Sequence, residues 1–418
     1  MNPRDPRLIA VTPGYVTMVE GQPGTGKTSF SLLAATRKGK ILYISYSEPE
    51  RYIRGRIKRL NPGFRGELKF IRMMGGQVER VVSTIIEHLS AGYAVIVDSI
   101  NAMISEVKDP YDNRTLNELL YGTTKDKPGS LILISEGTEG EIKEFEYVSD
   151  AIVRMGYFNV FERRVRNIEI IKDRNYPVRQ SPYFFTFNNG KMRVLVNSLK
   201  GIEGWIPKRF ERIVMPSGTW LFTNESRILV ELDSSVGLVL NRAIRETIAA
   251  YFLLNGFAVI FELRPDEFKD VIASEIASMS GASDRLTVIE PPIIKNQQQG
   301  LDFLSVVKSA VDKYKSMPVA TIADVVFNEQ LASSDMSSYN MYVQQLSEML
   351  FKAGAMQIIF AYTNYYSLPV QEKYAFGIKR MIDVYGNIFW ETVRPSGNIF
   401  YVSVDLRNSP RLINYPMS

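Results

Sequence analysis

Short, nearly unbroken apolar runs alternate with amphipathic stretches along the first 180 or so positions, and each run closes on polar residues or glycine. Tyr15 to Glu20, Lys40 to Tyr46, Ala94 to Ser99 and Leu131 to Ser135 are rich in Val, Ile, Leu and Tyr, as strands buried on both faces are. Between them Ser29 to Lys38, Pro49 to Leu60 and Val81 to Leu89 predict helices. In the second, Ile53, Ile57 and Leu60 fall on one face and arginines on the others. Arg166 to Ile171 reads as a later strand. Alternation of this kind predicts an α/β fold, a mainly parallel twisted sheet flanked by helices. The longest apolar stretch, Ile248 to Phe261, is broken by Asn255-Gly256. It predicts the end of a buried helix followed by a strand, with no membrane span.

The first strand runs directly into Gly21-Gln22-Pro23-Gly24-Thr25-Gly26-Lys27-Thr28, which fits the phosphate-binding pattern G-x-x-x-x-G-K-[ST], and Ser29 follows as a further candidate for phosphate binding. Gly21, Gly24 and Gly26 permit backbone conformations closed to other residues, so successive N–H groups can curl around a triphosphate. Lys27 adds a point charge for the β- and γ-phosphates, and the Thr28 hydroxyl is a Mg²⁺ ligand. The helix that follows presents its N-terminus to the same anion. This predicts binding of ATP with Mg²⁺. Asp98 ends the run Ala94-Val-Ile-Val, at the sheet edge where open α/β sheets hold ligands, and is predicted to reach the same Mg²⁺. Glu48, after the strand Lys40 to Tyr46, is the candidate for orienting the attacking water. The alternative is that Glu48 or Glu50 simply opens a helix, where acids are favoured.

Composition narrows the chemistry. The 418 residues contain no cysteine and a single histidine, which removes thiolate chemistry and histidine metal clusters, and the place of His88 in an amphipathic helix argues against a Ser-His-Asp triad. His88 is expected to face solvent or cap its helix. Met1 to Arg7 is polar, with no leader-like pattern, and a cytoplasmic protein is expected. The net charge of +5 is uneven: Arg51, Arg54, Arg56, Lys58, Arg59, Arg65, Lys69 and Arg72 crowd one segment against Glu67 alone. Such a strip suits nucleic acid or an acidic partner, or is a solvated helix face.

Together G-Q-P-G-T-G-K-T, I-S-Y-S-E-P-E, V-I-V-D-S and I-I-K-D-R-N resemble the RecA superfamily, and most closely the branch of the circadian-clock ATPase KaiC and its archaeal relatives. In that branch two adjacent glutamates position water; here the pair is Ser47-Glu48, so the first is lost. A Lys-x-Arg at the end of a later strand projects to the neighbouring subunit's γ-phosphate, and the resemblance gives this role to Lys172 and Arg174. Phe145 to Arg154 resembles the strand before that hairpin, and Phe184 to Met192 the closing strand and turn. Arg7 to Gly14 stands where a glycine-leucine-aspartate lead-in is found. The resemblance implies a homo-oligomeric ring of six. Cations supplied in trans make hydrolysis depend on assembly, because they stabilise charge that develops on the transferring phosphoryl group.

The second half repeats the first with its chemistry removed. Ile228 to Val239 can be set without gaps against Thr17 to Thr28. Glu231 then meets Glu20 and Gly237 meets Gly26, but Leu238 and Val239 replace Lys27 and Thr28. Arg264 stands for Glu48, Asp324 for Asp98, and Arg407-Asn408 for Arg174-Asn175 with Asp405 in place of Lys172. The spacing between partners grows steadily, as insertions into a duplicated domain produce; two unrelated halves are the alternative. The expected organisation is an active domain over 1–196, a linker over 197–217 carrying Gly201, Gly204, Pro207 and Pro216, and a degenerate, structural or regulatory domain over 218–418. The leading function is an ATP-hydrolysing ring. The alternatives are a recombinase-like DNA-binding ATPase and a poorly hydrolysing switch for a protein partner.

Overall fold

The computed structural model describes residues 5–73, 78–106, 110–136, 143–178, 182–188, 191–195, 199–200, 227–264, 266–292, 297–324, 336–363, 368–375, 377–384, 387–394, 399–405 and 411–416. The chain divides into two compact units, Met1–Val196 and Asn197–Pro416.

In the first unit the strands are β1 (Val16–Glu20), β2 (Lys40–Ser45), β3 (Glu67–Arg72), β4 (Ala94–Asp98), β5 (Ser130–Ile134), β6 (Ala151–Val160), β7 (Arg163–Asp173), β8 (Tyr183–Asn188) and β9 (Lys191–Leu195). The helices are α1 (Pro6–Ile9), α2 (Lys27–Ala35), α3 (Glu50–Leu60), α4 (Val78–Ser90), α5 (Ile100–Ser105), α6 (Pro110–Lys125) and α7 (Lys143–Val148). The sheet runs β3-β2-β4-β5-β1-β6-β7-β8-β9, with neighbours parallel from β3 to β6 and antiparallel from β6 onward. Successive side chains alternate between faces and feed two cores. Ile41, Tyr43 and Ile96 pack with Phe30 of α2 and Ile53, Ile57 and Leu60 of α3; Leu42, Ile44, Val95 and Val97 pack with α4, α5 and α6. Each buried aliphatic side chain contributes about 1.5–3 kcal/mol, so the apolar stripe of α3 alone anchors that helix despite its arginines.

Asn197 to Pro416 repeats this plan. Its strands are β10 (Leu199–Lys200), β11 (Arg227–Leu232), β12 (Ala258–Glu262), β13 (Leu286–Ile289), β14 (Val319–Asp324), β15 (Met356–Tyr362), β16 (Gly377–Val384), β17 (Asn387–Arg394), β18 (Ile399–Asp405) and β19 (Arg411–Pro416). The helices are α8 (Leu238–Leu254), α9 (Lys269–Ser280), α10 (Gln297–Asp312), α11 (Met336–Lys352) and α12 (Leu368–Tyr374). Reading β13-β12-β14-β15-β11-β16-β17-β18, with β19 and β10 on β18, the order matches the first sheet strand for strand. Both sheets are mainly parallel, as the α/β pattern requires.

Several expectations change. Phe145 to Arg154 is not one strand: its first residues end α7, and Phe145 is buried under the sheet while β6 begins at Ala151. His88 is buried, not solvent-facing, with Nδ1 on the Thr84 carbonyl and its ring edge-on to Tyr93. Leu199–Lys200, within the stretch expected to be linker, pairs with β18; most of that stretch lies outside the described residues.

Strand order also corrects one internal match. Lys172 ends β7, the neighbour of β6, so its counterpart must end β17, the neighbour of β16. Asp405 ends β18 instead, and Arg407-Asn408 lies outside the described residues.

Candidate nucleotide site

The turn from β1 into α2 has the geometry its glycines imply. Gly21, Gly24 and Gly26 have φ of 145°, 82° and 103°. A Cβ on Gly21 would lie 2.1 Å from the Met155 carbonyl oxygen, so no side chain fits there. Thr25 Oγ1 donates to the Gln22 carbonyl (2.8 Å), and the Tyr157 hydroxyl donates to that of Gly24 (3.0 Å), which pins the loop to β6. Gln22, Pro23 and Gly24 are exposed at its rim, and Ser29 is half-buried in the first turn of α2. Lys27 is buried and folds over its own loop, donating Nζ to the carbonyls of Gly21 (2.6 Å) and Gln22 (3.0 Å). Burial lowers its pKa, opposed by the charges of Glu136 and Asp98. A bound anion would oppose the lowering further.

Thr28 and Asp98, predicted as joint metal ligands, meet: Thr28 Oγ1 donates to Asp98 Oδ2 at 2.9 Å. The Tyr43 hydroxyl donates to the same oxygen. Burial raises the Asp98 pKa, while these two hydrogen bonds hold it down. A hydroxyl and a carboxylate at one point form a hard-oxygen donor set that fits Mg²⁺, which takes few protein ligands and completes its shell with phosphate and water. Glu48 also lies near, since its charge acts on Asp98 and Tyr43. Its backbone N–H donates to Ser45 Oγ, and its carboxylate is gripped by both Nη atoms of Arg56 on α3 at 2.9 and 3.0 Å. Glu50 points elsewhere, paired with Arg54 one helical turn on.

Sequence reasoning missed three contributors. Tyr43 reaches Asp98 only because β2 lies beside β4. Arg56 looked like one more arginine on a solvated helix. Glu136 follows β5, the strand between β4 and β1, and its backbone N–H donates to Asn101 Oδ1. The polar end of that strand was the available signal.

Lys172 and Arg174 are held elsewhere. Strand β7 runs against the parallel strands, so its end pairs with the start of β6, opposite the edge that carries the phosphate loop. Lys172 Nζ donates to the carbonyls of Glu146 (3.0 Å) and Tyr147 (2.7 Å). Arg174 donates to the Tyr121 hydroxyl and to the carbonyls of Tyr147 and Val148 (both 3.2 Å). These are the last carbonyls of α7, where cations are favoured. Within one subunit this segment is remote from the phosphate loop.

The corresponding edge of the second unit is built differently. Gly237 precedes α8 with φ of −65°, unlike Gly26, and Leu238 and Val239 are exposed. Asp324 accepts from Asn241 Nδ2 (2.7 Å) and lies 3.6 Å from Nη1 of Arg245, a wholly buried arginine on α8. Arg245 also bonds Glu267 (3.0 Å) and the Glu262 carbonyl (2.7 Å). Arg264, aligned with Glu48, carries the opposite charge and pairs with Asp266.

A glycine-cradled loop at the mouth of a parallel sheet, with Thr28 and Asp98 in contact beside it, defines a P-loop nucleotide-binding domain of the RecA superfamily. Residues 67–198 match the family described as "ATPase: KaiC"; that segment includes Asp98, Lys172 and Arg174 and begins after the phosphate loop. The chain is also 28% identical over 234 residues to the "DNA repair protein RadA" of Treponema pallidum (strain Nichols), across 52% of this chain. It spans about half the length of that relative. Residues 67–198 are thus KaiC-like, and both similarities are to P-loop ATPases of the RecA superfamily. No helix among the described residues is long and apolar enough to cross a membrane.

Proposed function

We propose that the first unit binds ATP with Mg²⁺ and hydrolyses it within a homo-oligomeric, six-membered ring, and that the second unit is structural or regulatory. The observation that carries the reading is the Thr28–Asp98 contact beside a loop whose lysine already occupies the cradle. In this reading the loop N–H groups and Lys27 bind the phosphates, while Thr28 and Asp98 hold Mg²⁺, with Tyr43 orienting Asp98. When bound, Mg²⁺ neutralises charge on the β- and γ-phosphates. Glu48, steadied by Arg56, aligns a water on the γ-phosphorus and takes its proton as the new P–O bond forms and the bond to ADP breaks. The Lys172–Arg174 segment supplies positive charge to a neighbour's γ-phosphate, a role supported by its distance from its own loop.

Mixing tests the ring. Arg174→Ala and Lys27→Ala subunits, each expected to be nearly inactive alone, should regain part of the turnover once native mass measurement confirms subunit exchange. Exchanged mixtures that stay dead, or a monomer hydrolysing at full rate, would overturn the trans arrangement.

A second reading, an ATPase that binds single-stranded DNA, has two observations in its favour: the similarity to a DNA repair protein, and a shallow cavity of about 340 Å³ lined by Arg54, Lys58, Arg65 and Phe64. Phosphate contacts there would weaken steeply with salt. Submicromolar binding at physiological salt that depends on Arg54 and Lys58 would favour it.

A further inference from the structure

The two units repeat an irregularity of backbone register along with their strand order. In the first, Ile152 pairs with Lys172 and Val153 with Ile170, so Ile171 is the bulged residue. In the second, Ile378 pairs with Arg394 and Lys379 with Thr392, so Val393 is bulged. Arg394 is therefore the counterpart of Lys172, and the likeness reaches the hydrogen bonds. Lys172 Nζ donates to the Glu146 carbonyl at 3.0 Å, and Arg394 Nη1 donates to the Glu372 carbonyl at 3.2 Å and to that of Ala375 at 2.9 Å. Glu146 and Glu372 lie on the short helices α7 and α12, which lead into β6 and β16.

The same residue of each helix makes a second tie through its side chain. Glu20, the last residue before the phosphate loop, pairs with Arg154 directly across the sheet; Glu231 pairs with Arg380 at the matching register. Burial raises the pKa of Glu20 and of Glu231, and the neighbouring Glu146 and Glu372 add to the effect, so each helix carboxylate adjoins its strand glutamate. Each short helix is thus fastened to the central strand by a glutamate and to the outer hairpin by a cation on its carbonyls.

The second unit keeps this cation although it lacks the phosphate-loop lysine, and two positions beyond Arg394, where the first unit has Arg174, the sequence has Ser396. A cation retained without a phosphate to meet has a local task. We propose that Lys172 and Arg174 divide the work: Lys172 is a positioning residue that clamps the C-terminal turn of α7, and Arg174, docked on that turn, is the group that leaves it to reach the neighbour's phosphate. The clamp rests on the paired geometry, whereas the part given to Arg174 rests on the trans reading above.

The full-length protein can be tested by hydrogen exchange over residues 143–150 without nucleotide, alongside steady-state turnover. Lys172→Met should speed exchange there about tenfold and lower kcat with little change in KM. Lys172→Arg, the second unit's own solution, should restore both. Arg174→Ala, which gives up longer contacts to the same turn, should speed exchange less than Lys172→Met yet cut kcat by roughly a thousandfold, the scale of a lost finger. Arg394→Met should speed exchange over 368–375 and leave turnover unchanged. If Lys172→Met does not fold, Lys172→Arg and Arg394→Met still decide the matter. The clamp is overturned if Lys172→Met exchanges at the native rate while its turnover falls as far as that of Arg174→Ala. It is equally overturned if Lys172→Arg exchanges normally but is inactive. Native turnover in Arg174→Ala would overturn the trans reading instead, leaving the exchange measurements to judge the clamp alone.

Discussion

Replacing Arg245 with methionine isolates the electrostatics that hold the second unit together. The Arg245 side chain is fully buried, and the Asp324 and Glu267 side chains beside it are 0% and 3% exposed. Methionine keeps much of the volume, so the main loss is one cation facing two buried carboxylates. Removing one partner of a buried ion pair costs about 3–5 kcal/mol. At roughly 2–4 °C per kcal/mol for a unit of this size, the midpoint of the second unit should fall by roughly 6–20 °C. Calorimetry gives the midpoint, and hydrogen exchange over α8 and β14 identifies the unit that melts. Adding Asp324→Asn and Glu267→Gln to Arg245→Met should recover most of the loss, because removing the whole network also removes the stranded charges. A single variant costing under about 1 kcal/mol, against that 3–5 kcal/mol scale, would refute the reasoning. So would a triple variant no more stable than the single one.

Lys27→Ala should abolish ATP turnover measured by phosphate release, while Leu238→Ala should leave it nearly unchanged; turnover surviving the first would move hydrolysis out of the first unit. Glu48→Gln should retain ATP binding and slow hydrolysis by roughly a hundredfold or more, as loss of a general base does. If Glu50→Gln shows that loss instead, Glu50 and not Glu48 orients the water. Tyr43→Phe removes one of two hydroxyls on Asp98 and should raise the Mg²⁺ concentration needed for half-maximal turnover by about tenfold, as lost outer-shell partners do; an unchanged Mg²⁺ dependence would remove Tyr43 from the site. Burial pushes Glu246 up to about 8 and Glu262 up to about 7, above the ordinary value of 4.5. The folded second unit therefore holds protons that the unfolded chain releases. Their contribution is fully present below about pH 4.5 and is lost as pH rises through 7 to 8, a few kcal/mol in scale. Denaturant titrations of Glu262→Gln between pH 5 and 8 should flatten this decline, and a slope identical to the native one would show that Glu262 does not titrate there.

The sequence carried the phosphate loop and Asp98 because both are local: strand, glycines, lysine and carboxylate fall in one short reading frame each. The two-unit repeat was also legible, through Val19-Glu20 against Val230-Glu231 and Asp98 against Asp324. What escaped depends on which strands become neighbours. Tyr43 bonds Asp98 across an interstrand gap, Glu136 matters because β5 lies between β4 and β1, and Arg56 is singled out from a row of arginines only by the helix phase that turns it toward Glu48. Likeness of Arg407-Asn408 to Arg174-Asn175 puts Asp405 in the place of Lys172; a matching bulge, invisible in letters, puts Arg394 there instead. The burial of His88 is not legible either, because a single histidine on an amphipathic helix gives no sign that Tyr93 will cover it.

The contrast between Thr28–Asp98 and Arg245–Asp324 has a consequence in mass action. In the proposed reading Asp98 would be stabilised in part by a diffusible cation, so the order of the first unit would rise and fall with the supply of Mg²⁺ and nucleotide. Arg245 is tethered to the chain it stabilises, and nothing in the surrounding solution can dilute it. On that reading one half of the molecule would be open to its surroundings as a thermodynamic variable, while the other half carries its counter-charge with it.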